Sequence, residues 1–142
     1  MTLSDEQRAF LASTPTAAMI TVGADGVAKP ARVGIALLDG RLLSSGTADR
    51  TRTARLRRDP RCTLFVFEAG FRWLALESVV TIVEGDEAIE DSVRMFREMQ
   101  GKPTGPLSWF GAELDEDAFR STLRSERRLL YELEVRRAYG LV

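Results

Sequence analysis

Short apolar runs separated by glycine-containing turns fill the first half of the chain. Asp25-Gly26 and Asp39-Gly40 are typical hairpin signals, and Ala69-Gly70 marks a third turn. Five runs rich in branched and aromatic residues are predicted strands, at residues 17–22, about 29–38, 41–45, 62–68 and 73–83. Because successive strands joined by tight turns pair antiparallel, this pattern predicts a small barrel.

Helical periods lie around and after these strands. Ser4 and Gln7 form a capping box at the start of an N-terminal helix, and further helices are predicted at about 50–58, at 86–99 and at 115–125. Residues 128–135 alternate as a sixth strand that closes the sheet. A Pro/Gly-rich stretch at 101–111, which carries Trp109 and Phe110, is predicted to be a structureless loop and a candidate substrate lid.

The composition narrows the possible functions. The chain has 142 residues, of which 44% are hydrophobic and 29% charged, so we expect one globular domain over residues 1–142. The net charge of -1 argues against nucleic acid as a partner. No histidine is present, which disfavours zinc, His-ligated haem and Ser-His-Asp chemistry, and we expect no metal site. Cys62 is expected to be a small buried hydrophobe.

No signal peptide and no apolar run of membrane length occurs in the sequence. We therefore expect a cytoplasmic protein without a membrane partner.

Six arginines occur within residues 50–61. Asp49 or Thr47 is expected to cap the helix that carries most of them, and Pro60 must end it near Asp59. Thr53 and Leu56 are the only residues of this helix that are predicted to pack into a core. Arginine in the first turn opposes the helix dipole, and a bound phosphate would compensate for it. The alternative interpretation is a solvated basic helix that serves solubility.

Four segments together resemble a known family. They are PARVGIAL at 30–37, TRTARLRRDPRCTLFV at 51–66, WLALE at 73–77 and SERRLLYELEVRRAYG at 125–140. They are similar to the pyridoxamine 5'-phosphate oxidase-like split β-barrel superfamily, in particular to its branch that uses the deazaflavin coenzyme F420. The resemblance implies an α+β fold with a six-stranded antiparallel split β-barrel and peripheral helices. It also implies a homodimer with the cofactor in a groove between the subunits.

The resemblance implies a set of cofactor-binding residues. Arg50 and Arg52 would contact the cofactor phosphate, with Thr51 and Ser45 as donors nearby. The residues that would lie along the ring or line its groove are Pro30, Arg32, Val33 and Trp73. For Arg32 the alternative is a barrel-rim arginine without a ligand, and for Trp73 it is a core position. The chain departs from the family pattern at Arg52, where lysine is common, at Ser78, where glycine is common, and in the longer 101–111 segment.

The implied function is an F420H2-dependent oxidoreductase that transfers a hydride to a small electron-poor acceptor such as an enone or a quinone. An FMN-dependent oxidoreductase of the same fold, a non-catalytic F420-binding or storage protein, and a nucleic-acid module remain as alternatives. The sequence identifies no catalytic residue. A proton would come from solvent or from a side chain, and Tyr131, Tyr139 and Glu77 are the candidates.

Overall fold

The computed structural model describes residues 1–142 and contains four helices and nine strands. The helices are α1 (Asp5–Ser13), α2 (Thr51–Arg58), α3 (Gly85–Gln100) and α4 (Glu116–Ser125). The strands are β1 (Thr16–Val22), β2 (Ala28–Gly34), β3 (Ala36–Leu38), β4 (Arg41–Thr47), β5 (Arg61–Phe67), β6 (Trp73–Val83), β7 (Leu107–Trp109), β8 (Ala112–Leu114) and β9 (Arg128–Gly140). None of the helices has the length and apolar character needed to cross a membrane.

Seven strands form one curled antiparallel sheet in the order β2-β1-β5-β6-β9-β4-β3. The predicted count of six strands is wrong because the second predicted strand, 29–38, divides at Ile35 into β2 and β3. These two strands lie at opposite edges of the sheet, so the chain crosses directly from one edge to the other. Two hydrogen bonds support the crossing, from the Ile35 amide to the Pro15 carbonyl at 2.8 Å and from Ser44 Oγ to the Gly34 carbonyl at 2.7 Å. The sheet is thereby drawn into a split barrel.

The barrel core is formed by alternate residues of the curled sheet. Met19 of β1, Leu64 of β5 and Leu76 of β6 are fully buried, and Tyr131 of β9 lies in the same cluster. The helix α2 covers one end of the barrel with Thr53 and Leu56, the two residues that the sequence offers to the core. Since its other positions are mostly arginine, α2 meets the barrel with a narrow apolar stripe and leaves its charges at the barrel end.

The capping box of α1 is confirmed, and α3 and α4 begin and end within a residue of their predicted bounds. The strand β9 extends to Gly140 rather than to residue 135, because β6 continues to pair with it as far as Leu74. A register shift between Glu77 and Ser78 accommodates this length.

The prediction of a structureless loop at 101–111 is wrong for residues 107–111, whereas residues 101–106 form no helix or strand. Residues 107–114 form the β7–β8 hairpin, and the Trp109 ring packs edge-on against Phe96 and Phe119, with ring centroids 5.1 and 5.3 Å apart. The Trp109 indole N–H also donates to the Glu126 carboxylate at 3.0 Å. This hairpin is anchored by side chains of α3 and α4, which a local sequence pattern does not reveal.

Candidate anion-binding site

The helix α2 begins without a side-chain cap. Arg50 occupies the N-cap position and none of its side-chain atoms bonds to the first turn. The expected cap by Asp49 or Thr47 is wrong, because Thr47 Oγ1 donates to the Asp49 carboxylate at 2.6 Å and the same carboxylate lies 3.7 Å from Arg127. That hydroxyl bond lowers the pKa of Asp49. The N–H groups of Thr53 and Ala54 donate to the Arg50 carbonyl, so those of Thr51 and Arg52 are left for an acceptor from outside the chain.

The arginines at the far end of α2 bind protein groups. Arg55 Nη1 donates to Thr21 Oγ1 at 3.1 Å, and Arg58 donates to the Val22 carbonyl at 2.8 Å. Arg57 forms an ion pair with Glu84. Just beyond the helix, Arg61 pairs with Asp59 at 2.8 Å. The arginines at this end therefore bind the protein itself, which neither the predicted anion site nor the alternative of a solvated basic helix describes.

Arg50 and Arg52, at the start of the helix, form no ion pair and no side-chain hydrogen bond within the chain. Arg52 is half-buried, and its Nε is buried without a partner. Its guanidinium lies over the Tyr131 ring, 5.7 Å from the centroid. Burial lowers the pKa of Arg52, and the neighbouring Arg50 and Arg128 act in the same direction. A half-buried cation without a counter-charge is unfavourable unless an anion joins it.

Ser45 is a second polar side chain without a partner. Its Oγ is buried and unbonded on β4, at the register position opposite Leu130. Only three buried side-chain polar atoms lack a partner in the whole chain, and two of them, Ser45 Oγ and Arg52 Nε, belong to predicted cofactor-binding residues; the third is Ser92 Oγ. Since buried polar groups in native proteins are almost always paired, these two call for a ligand or ordered solvent.

A groove on the outer face of β1 and β2 contains two more of the predicted residues. Pro30 and Arg32 line it, and its volume is about 470 Å³. The other lining residues are Thr16, Ala17, Ala18, Ala31 and Phe67. Arg32 is exposed and forms no ion pair in the chain. Ala18 and Phe67 were not predicted, although their alternation with the core residues of β1 and β5 signals that they face outward.

Val33 is 6% exposed and belongs to the barrel core. Its side chain is therefore not available to a ligand in this groove, and only its backbone could contribute. β2 is an edge strand, so one side of its backbone is free for hydrogen bonding.

Trp73 lies far from the start of α2. It belongs to a group of rings on the outer sheet face, here called the outer aromatic patch: Phe65, Phe67, Trp73 and Tyr139. Tyr139 is eight residues along β9 from Tyr131, which corresponds to about 25 Å of strand. Within one chain, Thr51 and Arg52 thus lie near one barrel end and Trp73 near the other, while Ser45 alternates on β4 with Gly46, which faces Tyr131.

The three proton-donor candidates occupy different environments. The Tyr131 hydroxyl is fully buried and bonds to Thr53. Tyr139 is 41% exposed in the outer aromatic patch, and Glu77 is partly buried on β6 without an ion pair. None of them lies among the residues that line the groove.

A family model described as Pyridoxamine 5'-phosphate oxidase matches residues 3–138. The chain belongs to the pyridoxamine 5'-phosphate oxidase family. The predicted resemblance is thereby confirmed at the level of the superfamily. A comparison with curated proteins gives no match.

Solved structures of this family's fold resemble the chain over nearly its whole length. A conserved hypothetical protein from Mycobacterium tuberculosis has a TM-score of 0.75 at 24% identity, covering 99% of this chain and 86% of that one. A structure described as an F420 reductase has a TM-score of 0.68 at 17% identity and covers 98% of both chains. HutZ, the heme storage protein from Vibrio cholerae, has a TM-score of 0.68 at 15% identity, covering 99% and 95%. At these identities, the similarity establishes the split-barrel fold.

Proposed function

We propose that this member of the pyridoxamine 5'-phosphate oxidase family is an F420-dependent oxidoreductase that reduces a small electron-poor acceptor, such as an enone or a quinone. The family membership and the fold it shares with the F420 reductase support the class of cofactor. The choice of deazaflavin over flavin rests on the sequence resemblance.

The observation that carries the proposal is the unpaired Arg52 beside the uncapped start of α2. A phosphate there would accept hydrogen bonds from the Arg52 guanidinium, from the first-turn N–H groups and from Thr51. Charge-assisted bonds of this kind are about twice as strong as neutral ones, and a guanidinium fork matches two phosphate oxygens. The residues present therefore fit a phosphate-bearing cofactor, whether F420 or FMN.

The groove on β1 and β2 is the proposed binding place for the ring system of the cofactor. Pro30 and Ala18 supply an apolar floor, and the free backbone edge of β2 can orient polar atoms at the rim of the ring. Phe67 lines one side of the groove. Reduced F420, when bound, supplies the hydride, so this chain's task is positioning and water exclusion rather than acid–base chemistry.

We propose further that the protein is a homodimer and that its cofactor groove lies between subunits. Within one chain, Trp73 and Arg52 lie at opposite ends of the barrel, so the predicted site is incomplete without a second copy. The outer aromatic patch supports such an interface, since Phe67 is 56% exposed and Tyr139 41% exposed. Exposed clusters of large apolar side chains commonly mark interaction surfaces.

The dimer can be tested with Phe67→Asp. A charge at the exposed end of the patch should convert the dimer to monomer in analytical ultracentrifugation, while the thermal unfolding midpoint of the monomer changes little because Phe67 is already half exposed. Phe71→Asp is the matched control, since Phe71 is 92% exposed, lies outside the patch and contacts none of its rings. A wild-type protein that sediments as a monomer at all concentrations contradicts the proposal.

Haem is another cofactor that the structural neighbours suggest, since HutZ and a heme binding protein from Mycobacterium smegmatis share the fold. This chain has no histidine to serve as the usual axial ligand. Cys62 is buried in the barrel core, and burial raises the pKa of its thiol to about 12, which disfavours the thiolate that would bind iron. The observations thus favour a phosphate-bearing cofactor.

The cofactor proposal is tested by titrating the purified protein with F420, FMN and haem in parallel, following fluorescence and absorbance. Tight F420 binding, followed by oxidation of F420H2 in the presence of enone or quinone acceptors, is the expected result. A preference for FMN would move the protein to the flavin-dependent alternative. F420 binding without turnover over a broad acceptor panel would favour a storage role, and binding of none of the three would overturn the proposal.

A further inference from the structure

A buried tyrosine lies directly beneath the start of α2. Tyr131 on β9 is fully buried, and its ring faces the Arg52 guanidinium. Its hydroxyl oxygen is 2.5 Å from Thr53 Oγ1, and Thr53 Oγ1 is 2.8 Å from the Thr47 carbonyl. The Tyr131 ring therefore faces Arg52, and its hydroxyl binds Thr53, the next residue of the first turn.

The direction of these hydrogen bonds follows from counting protons. Thr53 Oγ1 has a single proton, and the Thr47 carbonyl can only accept, so the threonine donates to the carbonyl. The Tyr131 hydroxyl must then donate to Thr53 Oγ1. This chain of bonds, from Tyr131 through Thr53 to Thr47, ties the first turn of α2 to the barrel strands β4 and β9.

The strand next to Tyr131 leaves room for this arrangement. Gly46 on β4 has no side chain, and a Cβ built there would lie 2.5 Å from Tyr131 Cζ and overlap the hydroxyl as well. Any other residue at position 46 would displace the phenol from Thr53. The position of the Tyr131 phenol thus requires a residue without a side chain at position 46, although the two residues lie 85 positions apart in the sequence.

We propose that Tyr131 is a positioning residue for the anion-binding start of α2. Its hydroxyl fixes Thr53, and with it the first-turn N–H groups, while its ring supports the Arg52 guanidinium. The residue does not itself touch the anion. This inference rests on the proposed function, in which that turn binds a cofactor phosphate. It also removes Tyr131 from the candidates for proton donation, because its hydroxyl is buried and donates its hydrogen bond to Thr53 Oγ1.

The test uses inorganic phosphate as the probe, with sodium chloride at equal ionic strength as the reference. Phosphate affinity is obtained from the rise of the thermal unfolding midpoint with phosphate concentration. Tyr131→Phe keeps the ring and removes the hydroxyl, and Thr53→Val removes its acceptor at similar volume. We expect Tyr131→Phe to weaken phosphate binding about three- to tenfold, the range of one lost hydrogen bond. Tyr139→Phe, the matched control in the outer aromatic patch, should leave the affinity unchanged.

The double variant distinguishes positioning from a purely structural role. If the hydroxyl acts through Thr53, Tyr131→Phe should cost no further affinity in the Thr53→Val background. Equal losses in both backgrounds, or an unchanged phosphate affinity in Tyr131→Phe despite a lower unfolding midpoint, would overturn the inference. Absence of phosphate binding by the wild-type protein would overturn it as well.

A parallel titration of the wild-type protein and of Tyr131→Phe with F420 and FMN separates this inference from the proposed function. Phosphate binding that depends on Tyr131, together with failure to bind either cofactor, would overturn the function and leave the positioning role standing. Cofactor binding that is the same in Tyr131→Phe and wild type would overturn the positioning role and leave the function standing.

Discussion

The two ends of the arginine segment carry the same side chain in opposite situations. Arg55, Arg57 and Arg58 in the second half of α2 each contact a protein acceptor. Arg50 and Arg52 at its start contact none, and Arg52 is half-buried as well. Because arginine accounts for eighteen of the twenty basic residues, its presence at a position says little about function. Structural arginines differ from candidate ligand-binding arginines because they have a hydrogen-bond or ion-pair partner within the chain.

The strongest test of this difference is Arg52→Ala. We expect it to weaken cofactor binding by about 2–3 kcal/mol, or roughly 30- to 150-fold, the scale of hydrogen bonds to a charged group. The free energy of unfolding without cofactor should not fall, because the substitution removes a half-buried cation that has no counter-charge. Fluorescence titration and urea unfolding measure the two quantities. A loss of stability without a loss of affinity would assign Arg52 to the structural group.

Gly46→Ala tests the support beneath the start of the helix. The added methyl group overlaps Tyr131, a fully buried side chain that cannot move into solvent. We expect the free energy of unfolding to fall by about 1–3 kcal/mol, as in other overpacked cores, with weaker phosphate binding in the folded protein. Gly26→Ala is a useful comparison, because nothing lies within 4 Å of its added Cβ and any cost there comes from its positive φ alone. Equal effects of the two substitutions on phosphate affinity would contradict the account.

Arg57→Ala is the matched substitution on the other half of the helix. Arg57 is exposed and pairs with Glu84, so its loss should reduce the free energy of unfolding by less than about 1 kcal/mol. Cofactor affinity should stay within about twofold of the wild type, a difference of roughly 0.4 kcal/mol. If Arg57→Ala and Arg52→Ala weaken cofactor binding equally, the helix acts as a diffuse basic surface and the distinction between its halves is wrong.

The smallest expected effect comes from the pair that follows the helix. The hydrogen bond from Arg61 lowers the pKa of Asp59 from 3.8 to about 2. A carboxyl whose folded pKa is depressed stabilises the fold above its unfolded pKa, and this contribution is lost as the pH falls through the folded value. The difference in urea midpoint between wild type and Asp59→Asn should therefore be constant above about pH 5 and shrink between pH 4 and 2. A difference that persists at pH 2 would show that the charge of Asp59 is not its cause.

Much of this fold could be predicted because its signals are local. Pro60 ends α2 where expected, Thr53 and Leu56 are the residues that it buries, and the Ser4–Gln7 capping box is present. The division of the second strand at Ile35 was missed because it depends on closure of the barrel through Ser44 and Pro15. The hairpin at 107–114 was missed for a similar reason, since Trp109 is held by rings of α3 and α4.

The candidate site likewise has features that could be predicted from the sequence and features that could not. The positions of Arg50, Thr51 and Arg52 at a helix start follow from the sequence, whereas their lack of partners does not. Whether an arginine is paired depends on residues as distant as Glu84 for Arg57, or Thr21 for Arg55. The separation of Trp73 from Arg52 also follows only from the direction of β9. Contacts of this range decide which members of a sequence motif are left for a ligand.

We propose that the start of α2 holds the cofactor phosphate and that the rest of the helix does not. A crystal structure of the protein with F420, or with FMN if that binds more tightly, tests it most directly. We predict phosphate oxygens about 2.8 Å from the Arg52 guanidinium and within hydrogen-bond distance of the first-turn N–H groups. A phosphate bound at Arg57 and Arg58, or in the pocket beside Arg124 and Arg127, would contradict the claim.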